Sequence, residues 1–219
     1  MTIQGFKRQF GPVFGPQMKL IGFSGTRFRY TMNTKVFLFV IEVLLDEVKQ
    51  INLAVGIHPK TKFRRHDKLN ARDCELYRLL MPSIRKTHWD AGVNKKQNEK
   101  LANTMFAFVQ TYILPIIIKY KTDPNPLDDV LPSDVVSVPV MFKKLYGMHL
   151  EGVPYNAHQA AWTLSSYYYN KCDMDHAKAF ICAGVDYLGW PGMKSNIRES
   201  EKIKEILVAD LIAGRLGKR

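Results

Sequence analysis

Residues 36–45 read VFLFVIEVLL, the most apolar run in the chain, and the structure given to this run decides the fold. It is about half the length needed to cross a bilayer and holds Glu42, so it belongs to a protein core rather than a membrane. Thr34 stands where a helix N-cap would, and Gly56 and Pro59 stand where a helix would stop. The expectation is a helix from Thr34 to about Leu53.

Upstream, residues 1–18 read MTIQGFKRQFGPVFGPQM. Phe6, Phe10 and Phe14 recur every four residues, but Gly11, Pro12, Gly15 and Pro16 oppose a helix. The segment reads as an apolar arm that docks on the fold or on a neighbouring subunit. Residues 19–23 and 26–32 flank Ser24-Gly25 as a small hairpin. In its second strand Phe28, Tyr30 and Met32 alternate with Arg27, Arg29 and Thr31, which places two guanidinium groups on one face.

Downstream, a helix is expected near residues 71–80, stopped by Pro82, and a long one over 95–118, kinked by Pro115. Residues 121–139 carry four prolines and four aspartates and mark a lobe boundary. Helices over 140–146, 156–170 and 173–188 follow. After Pro191-Gly192 a last helix carries Ile203, Ile206, Leu207 and Leu211 on one side. The predicted class is mainly α: two helical lobes with a basic cleft between them, an N-terminal arm with a hairpin, and a C-terminal helical arm. The corresponding segments are 1–33 for arm and hairpin, 34–122 and 123–192 for the lobes, and 193–219 for the C-terminal arm.

The net charge is +12, and it is unevenly spread. Residues 1–35 hold six basic residues and no acid, and residues 58–72 hold six against one, whereas residues 101–219 hold 13 basic and 12 acidic side chains. Charge gathered in short stretches builds a local field that draws in a polyanion and displaces its counterions. The loop HPKTKFRRHDKLNAR at 58–72 supplies Lys60, Lys62, Arg64, Arg65, Lys68 and Arg72 around Phe63. Arginine forks suit phosphates, and an aromatic ring among them suits an unpaired base. Arg27, Arg29, Arg78, Lys95 and Lys96 complete the candidate RNA-contact set.

No residue pattern names an enzyme, cofactor or metal. Cys172, His176 and Cys182 lack the compact pairs of a structural zinc site. His58, His66 and Asp67 near Cys74 have no strained elbow or oxyanion glycines beside them. Asp128, Asp129 and Asp134 fit an acidic, proline-rich linker. Three scattered cysteines, Cys74, Cys172 and Cys182, suit a reducing compartment. Residues 1–35 leave a mitochondrial transit peptide open, although their glycines and prolines oppose an amphipathic helix there.

Several pieces occur in an order that resembles the orthobunyavirus (peribunyavirus) nucleoproteins over residues 89–212. Trp89-Asp90-Ala91-Gly92 is similar to a Trp/Asp/Gly element of that family. Met105-Phe106, then Tyr112, Leu114, Ile116, Ile118 and Lys119, is similar to an apolar helix ending in a basic residue. MFKKLYG at 141–147 resembles a basic-aromatic helix, Ala160-Ala161-Trp162-Thr163-Leu164-Ser165 a helix start, and Leu188-Gly189-Trp190 the turn before a C-terminal arm. The first 88 residues do not match, and the family's Pro-Gly-Asn-Arg-Asn element is absent.

The resemblance implies a viral nucleoprotein that encapsidates single-stranded RNA without sequence preference. It would assemble head to tail through Phe6, Phe10 and Phe14 at one end and Ile203, Ile206, Leu207 and Leu211 at the other. The implied partners are RNA, further copies of the chain and a viral polymerase, without membrane insertion, in the virion and host cytoplasm. The alternative is an RNA-binding structural protein of a large ribonucleoprotein such as a mitochondrial ribosome.

Overall fold

The computed structural model describes residues 2–26, 28–46, 50–60, 69–74, 76–80, 82, 88–122, 124–137, 140, 143–145, 157–188 and 197–215. At 76–78, 136, 157–159, 187–188 and 197–200 it describes the backbone alone. The chain divides into two compact units, residues 1–58 with 66–121, and residues 59–65 with 122–219.

The first unit runs α1 (Ile3–Leu20), β1 (Ser24–Thr26), β2 (Arg29–Asn33), β3 (Phe37–Leu45) and β4 (Gln50–Pro59). A 3-10 turn at Ala71–Asp73, β5 (Leu76–Leu80) and β6 (Trp89–Asp90) follow. Then come α2 (Lys95–Phe108), a π-helical turn at Val109–Ile113 and α3 (Leu114–Tyr120). The six strands form one sheet in the order β1-β2-β3-β4-β5, with β6 pairing β4 beside β5. Every register recorded is antiparallel, for example Tyr30 opposite Ile41 and Val55 opposite Arg78.

This corrects the expected class: the protein is mixed α/β, with its sheet in the N-terminal half, not mainly α. Residues 36–45 belong to a strand. On one side Leu38 and Val40 pack with Ala54, Ala71 and Cys74, and on the other Phe37 and Phe39 set their rings 5.2 and 6.3 Å from Tyr120. A strand covered on both faces shows no polar alternation, so its apolar run looks like a buried helix. Thr34 does bond locally, but as a turn: its Oγ1 accepts the Phe37 N–H at 2.9 Å and donates to the Phe37 carbonyl at 3.0 Å. Gly56 is no helix stop either. A Cβ there would lie 2.6 Å from the Ala71 carbonyl oxygen and the Cys74 sulfur, so the 71–74 segment crosses β4 only over a glycine. The helix expected at 71–80 is the 3-10 turn followed by β5.

The second correction concerns residues 1–18, which are helix rather than arm. Thr2 caps α1 by accepting the Gly5 N–H at 3.1 Å. Phe6, Phe10, Phe14 and Met18 are fully buried. Phe6–Phe10 and Phe10–Phe14 pair at 5.0 Å, and these rings meet Phe28 and Tyr30 of the hairpin at 5.4–5.7 Å. Interior glycines cost about 1 kcal/mol each and prolines about 3, roughly 8 for the four breakers. Burying four large side chains and pairing their rings contributes on the order of 10 kcal/mol. Packing therefore overrides propensity.

Two amide pairs fasten α1 to α2. Asn98 Nδ2 donates to Gln9 Oε1 at 2.6 Å, and Gln17 Nε2 donates to Asn103 Oδ1 at 2.7 Å. The bonds occur in the same order along both helices, so the helices run in the same sense.

The second unit carries a 3-10 turn at Pro132–Val136, α4 (Ala157–Asn170), α5 (Met174–Leu188) and α6 (Ile197–Ile212). The helices expected at 156–170 and 173–188 lie within one residue of α4 and α5. The expected helix at 140–146 lies mostly outside the described residues. A Cβ on Gly184 would come 2.7 Å from the Ala161 Cβ, so α4 and α5 touch at that glycine. The proline–aspartate stretch is pinned to α4 by Asp128, whose carboxylate accepts from Tyr167 Oη at 2.9 Å and Lys171 Nζ at 2.7 Å. Lys204 of α6 reaches Asp186 of α5 at 2.6 Å.

Candidate nucleic-acid interface

The acid-free first 35 residues become α1 and the β1–β2 hairpin, and α1 presents a cationic face on the surface of the first unit. The phenylalanine ridge of α1 faces the sheet, which leaves Lys7, Arg8 and Lys19 exposed. Because Gln9 bonds Asn98, Lys7 and Arg8 lie at the same end of the helix pair as Lys95 and Lys96, the first two residues of α2. That turn has Asn94 as N-cap, accepting the Gln97 N–H at 3.0 Å, and no acidic residue. A helix N-terminus carries partial positive charge that disfavours cations and favours anions. Among the described residues the two lysines there are offset by Glu99, 3.7 Å from Lys95 Nζ on an exposed helix face, a pair of little energetic weight. An anion relieves this arrangement.

Arg29 has a different task. Its guanidinium donates to the Leu69 carbonyl from Nε, at 3.1 Å, and from Nη2. Glu42, 9% exposed, accepts the Ala71 N–H at 2.9 Å and lies 3.9 Å from Arg29 Nε. The two residues hold the exit of the basic loop, residues 69–71, against β2 and β3. Arg29 is thus a support for the loop rather than an open phosphate fork.

Of the other candidates, Arg72 is exposed on the 3-10 turn. Lys60 belongs to the second unit, where Asn170 Nδ2 donates to its carbonyl at 3.2 Å. Arg78 lies on β5, described by its backbone alone. Arg27, Lys62, Arg64, Arg65 and Lys68 lie outside the described residues. Lys7, Arg8 and Lys19 were not singled out from sequence. The signal that finds them is the Phe6–Phe10–Phe14–Met18 repeat, which fixes the helix and so its exposed face.

The oligomerisation residues divide. Phe6, Phe10 and Phe14 are core side chains of their own unit, which corrects their assignment to a docking arm. Leu211 is fully buried in the second unit, Ile203 and Leu207 are half-buried, and Ile206 is 42% exposed.

Among the described residues no group of three His, Cys, Asp or Glu is placed to hold a metal. His176 Nδ1 instead bonds Asp173 at 2.7 Å, and its ring stacks 5.0 Å from Tyr168. Burial pushes the Asp128 carboxyl up, but Lys171, Asn125 and Tyr167 outweigh it and hold it below the usual carboxylate value. Burial pushes the Tyr167 hydroxyl up to about 12, and the bond to Asp128 raises Lys171 to about 12. This network is structural in its geometry: it ties residues 125–128 to α4. The helical stretch Lys95–Tyr120 is long and apolar enough to cross a membrane by length and composition, yet Val109, Ile113, Ile117 and Tyr120 along it are buried in the unit's core.

No protein-family model, curated protein or solved structure matches this chain.

Proposed function

We propose that this chain binds single-stranded RNA through its phosphates, without sequence preference and without catalysing a reaction. The observation that carries the reading is the shared end of α1 and α2, where Lys7, Arg8, Lys95 and Lys96 meet an acid-free helix N-terminus. The acid next to the loop exit, Glu42, is paired with Arg29 at 3.9 Å, so its charge is balanced locally by a residue that takes no part in the cationic end. The further reading, a nucleoprotein that coats viral RNA, rests on the resemblance over residues 89–212. With the phenylalanines in the core, it keeps one docking element, α6, instead of two.

Binding two unrelated single-stranded RNAs by fluorescence anisotropy at one fixed salt concentration tests the proposal. Affinities agreeing within about threefold support it. A preference of a hundredfold for one sequence contradicts it, as does the absence of binding to both. Assembly is tested separately by light scattering on long RNA, where growing particles support coating and a fixed one-to-one complex removes it.

A further inference from the structure

A furrow of 340 Å³ runs between α1 and the β1–β2 hairpin, entirely within the first unit. One helical ridge forms its floor: Lys7, Gly11, Gly15 and Lys19, at successive intervals of four. The two lysines are twelve residues apart, about 18 Å along the helix, and both are exposed. Between them the floor is backbone.

The glycines are not there for packing. A Cβ at Gly11 would meet nothing within 4 Å, and one at Gly15 would make an ordinary contact with Tyr30 at 3.5 Å. Neither has the positive φ that calls for glycine. Each glycine precedes a proline, whose ring would crowd a Cβ at that position in a helix, and what Gly11, Pro12, Gly15 and Pro16 leave on this face is open space. Pro16 also has no N–H to give the Pro12 carbonyl, which leaves an acceptor on this face. Opposite stands Tyr30, whose side chain lines the furrow and carries a hydroxyl that can donate to or accept from a bound group.

We propose that this furrow is a subsite for a bound RNA strand, seating an unpaired base on the glycine–proline floor while Lys7 and Lys19 meet phosphates of the same strand on either side. This rests on the RNA-binding reading above and adds to it where a base goes. The occupant follows from the order of chemistry along the ridge: cation, uncharged apolar floor, cation. A nucleic-acid strand alternates anionic phosphate and flat ring in the same way. An acidic peptide would instead lay carboxylates over a floor that has no charge to meet them. The volume lies at the small end of ligand pockets, enough for one base with its sugar. Tyr30 and the Pro12 carbonyl supply a donor and an acceptor for base edges.

The test uses a fluorescein-labelled uridine oligonucleotide and the variants Gly11→Leu, Lys19→Ala and Tyr30→Phe. Gly11→Leu fills the furrow from a position where a Cβ meets nothing beyond its own helix and chain neighbours; crowding against Pro12 lowers its melting temperature somewhat, so binding is read well below the melt. Its RNA affinity falls about tenfold, the scale of losing one seated base. Lys19→Ala, on an exposed site, weakens binding and lowers its salt dependence. Tyr30→Phe leaves melting unchanged and weakens binding several-fold. If the wild type binds RNA and all three variants bind equally well, the furrow is overturned while the RNA reading stands. If the wild type binds no RNA, both fall. If hexaglutamate binds the wild type and is lost in Gly11→Leu while RNA binding is untouched, the furrow is a peptide site and the proposal is wrong.

Discussion

Asn98 and Gln9 are joined by a 2.6 Å hydrogen bond that sets the start of α2 against the first half of α1. Asn98 is fully buried, and its Oδ1 also accepts the Gly92 N–H at 2.8 Å. One side chain thus fixes both the helix pair and the loop that leads into α2. The cationic end that supports the RNA reading depends on it.

Asn98→Leu keeps the branched outline and removes both bonds, leaving the Gln9 amide and the Gly92 N–H without their partner. The expected loss is about 1–3 kcal/mol, read from urea unfolding. A stability unchanged within experimental scatter would mean that the helices are held together by other contacts.

Phe10→Ala distinguishes helix from arm. A fully buried ring touching Phe6, Phe14 and Phe28 should cost about 3–5 kcal/mol when truncated. Deleting residues 1–18 should then unfold the first unit rather than release a folded, smaller assembly. Native-like circular dichroism after that deletion would restore the arm.

The glycines separate into two kinds. Gly11→Ala should change stability by less than about 1 kcal/mol, because the helix propensity it gains is opposed by its Cβ against the following Pro12 while the rest of the fold leaves open space there. Gly56→Ala and Gly184→Ala should lower stability, since their Cβ atoms would lie 2.6 and 2.7 Å from neighbouring atoms. Thermal melts of the three variants check the contrast.

These contrasts explain what was legible in the sequence. The α4 and α5 helices were read to within a residue because each buries one face and exposes another, so periodicity survives. β3 was misread because Leu38 and Val40 face one layer while Phe37 and Phe39 face another, which erases the alternation that marks a strand. In α1 the breakers Pro12 and Pro16 spoke more loudly than the phenylalanine repeat, although the repeat carried more free energy. The candidate site was legible as charge, not as geometry. Nothing in the sequence shows that Arg29 is committed to Leu69 and Glu42, or that Lys7 and Arg8 share an end with Lys95 and Lys96.

The Asp128 network gives a pH signature. Asp128 titrates below its ordinary value in the folded chain, so its stabilisation is complete above that ordinary value and is lost as pH falls through the lowered one. Tyr167 and Lys171 are raised to about 12, so their contribution is complete below about 10 and is lost as pH climbs towards 12. Asp128→Asn should flatten the acid limb of a stability–pH curve for the second unit. An acid limb of unchanged slope would assign the acid sensitivity to other carboxylates.

The salt dependence of RNA binding tests the central claim most directly. The slope of log affinity against log salt is measured for the wild type and for Lys7→Ala/Arg8→Ala/Lys95→Ala/Lys96→Ala on one single-stranded RNA. All four side chains are exposed, so the quadruple variant should melt like the wild type. Each lost phosphate contact removes about 0.7 from the slope, so the account predicts a slope shallower by roughly 2–3 units. An unchanged slope, with both proteins folded and binding, would contradict it.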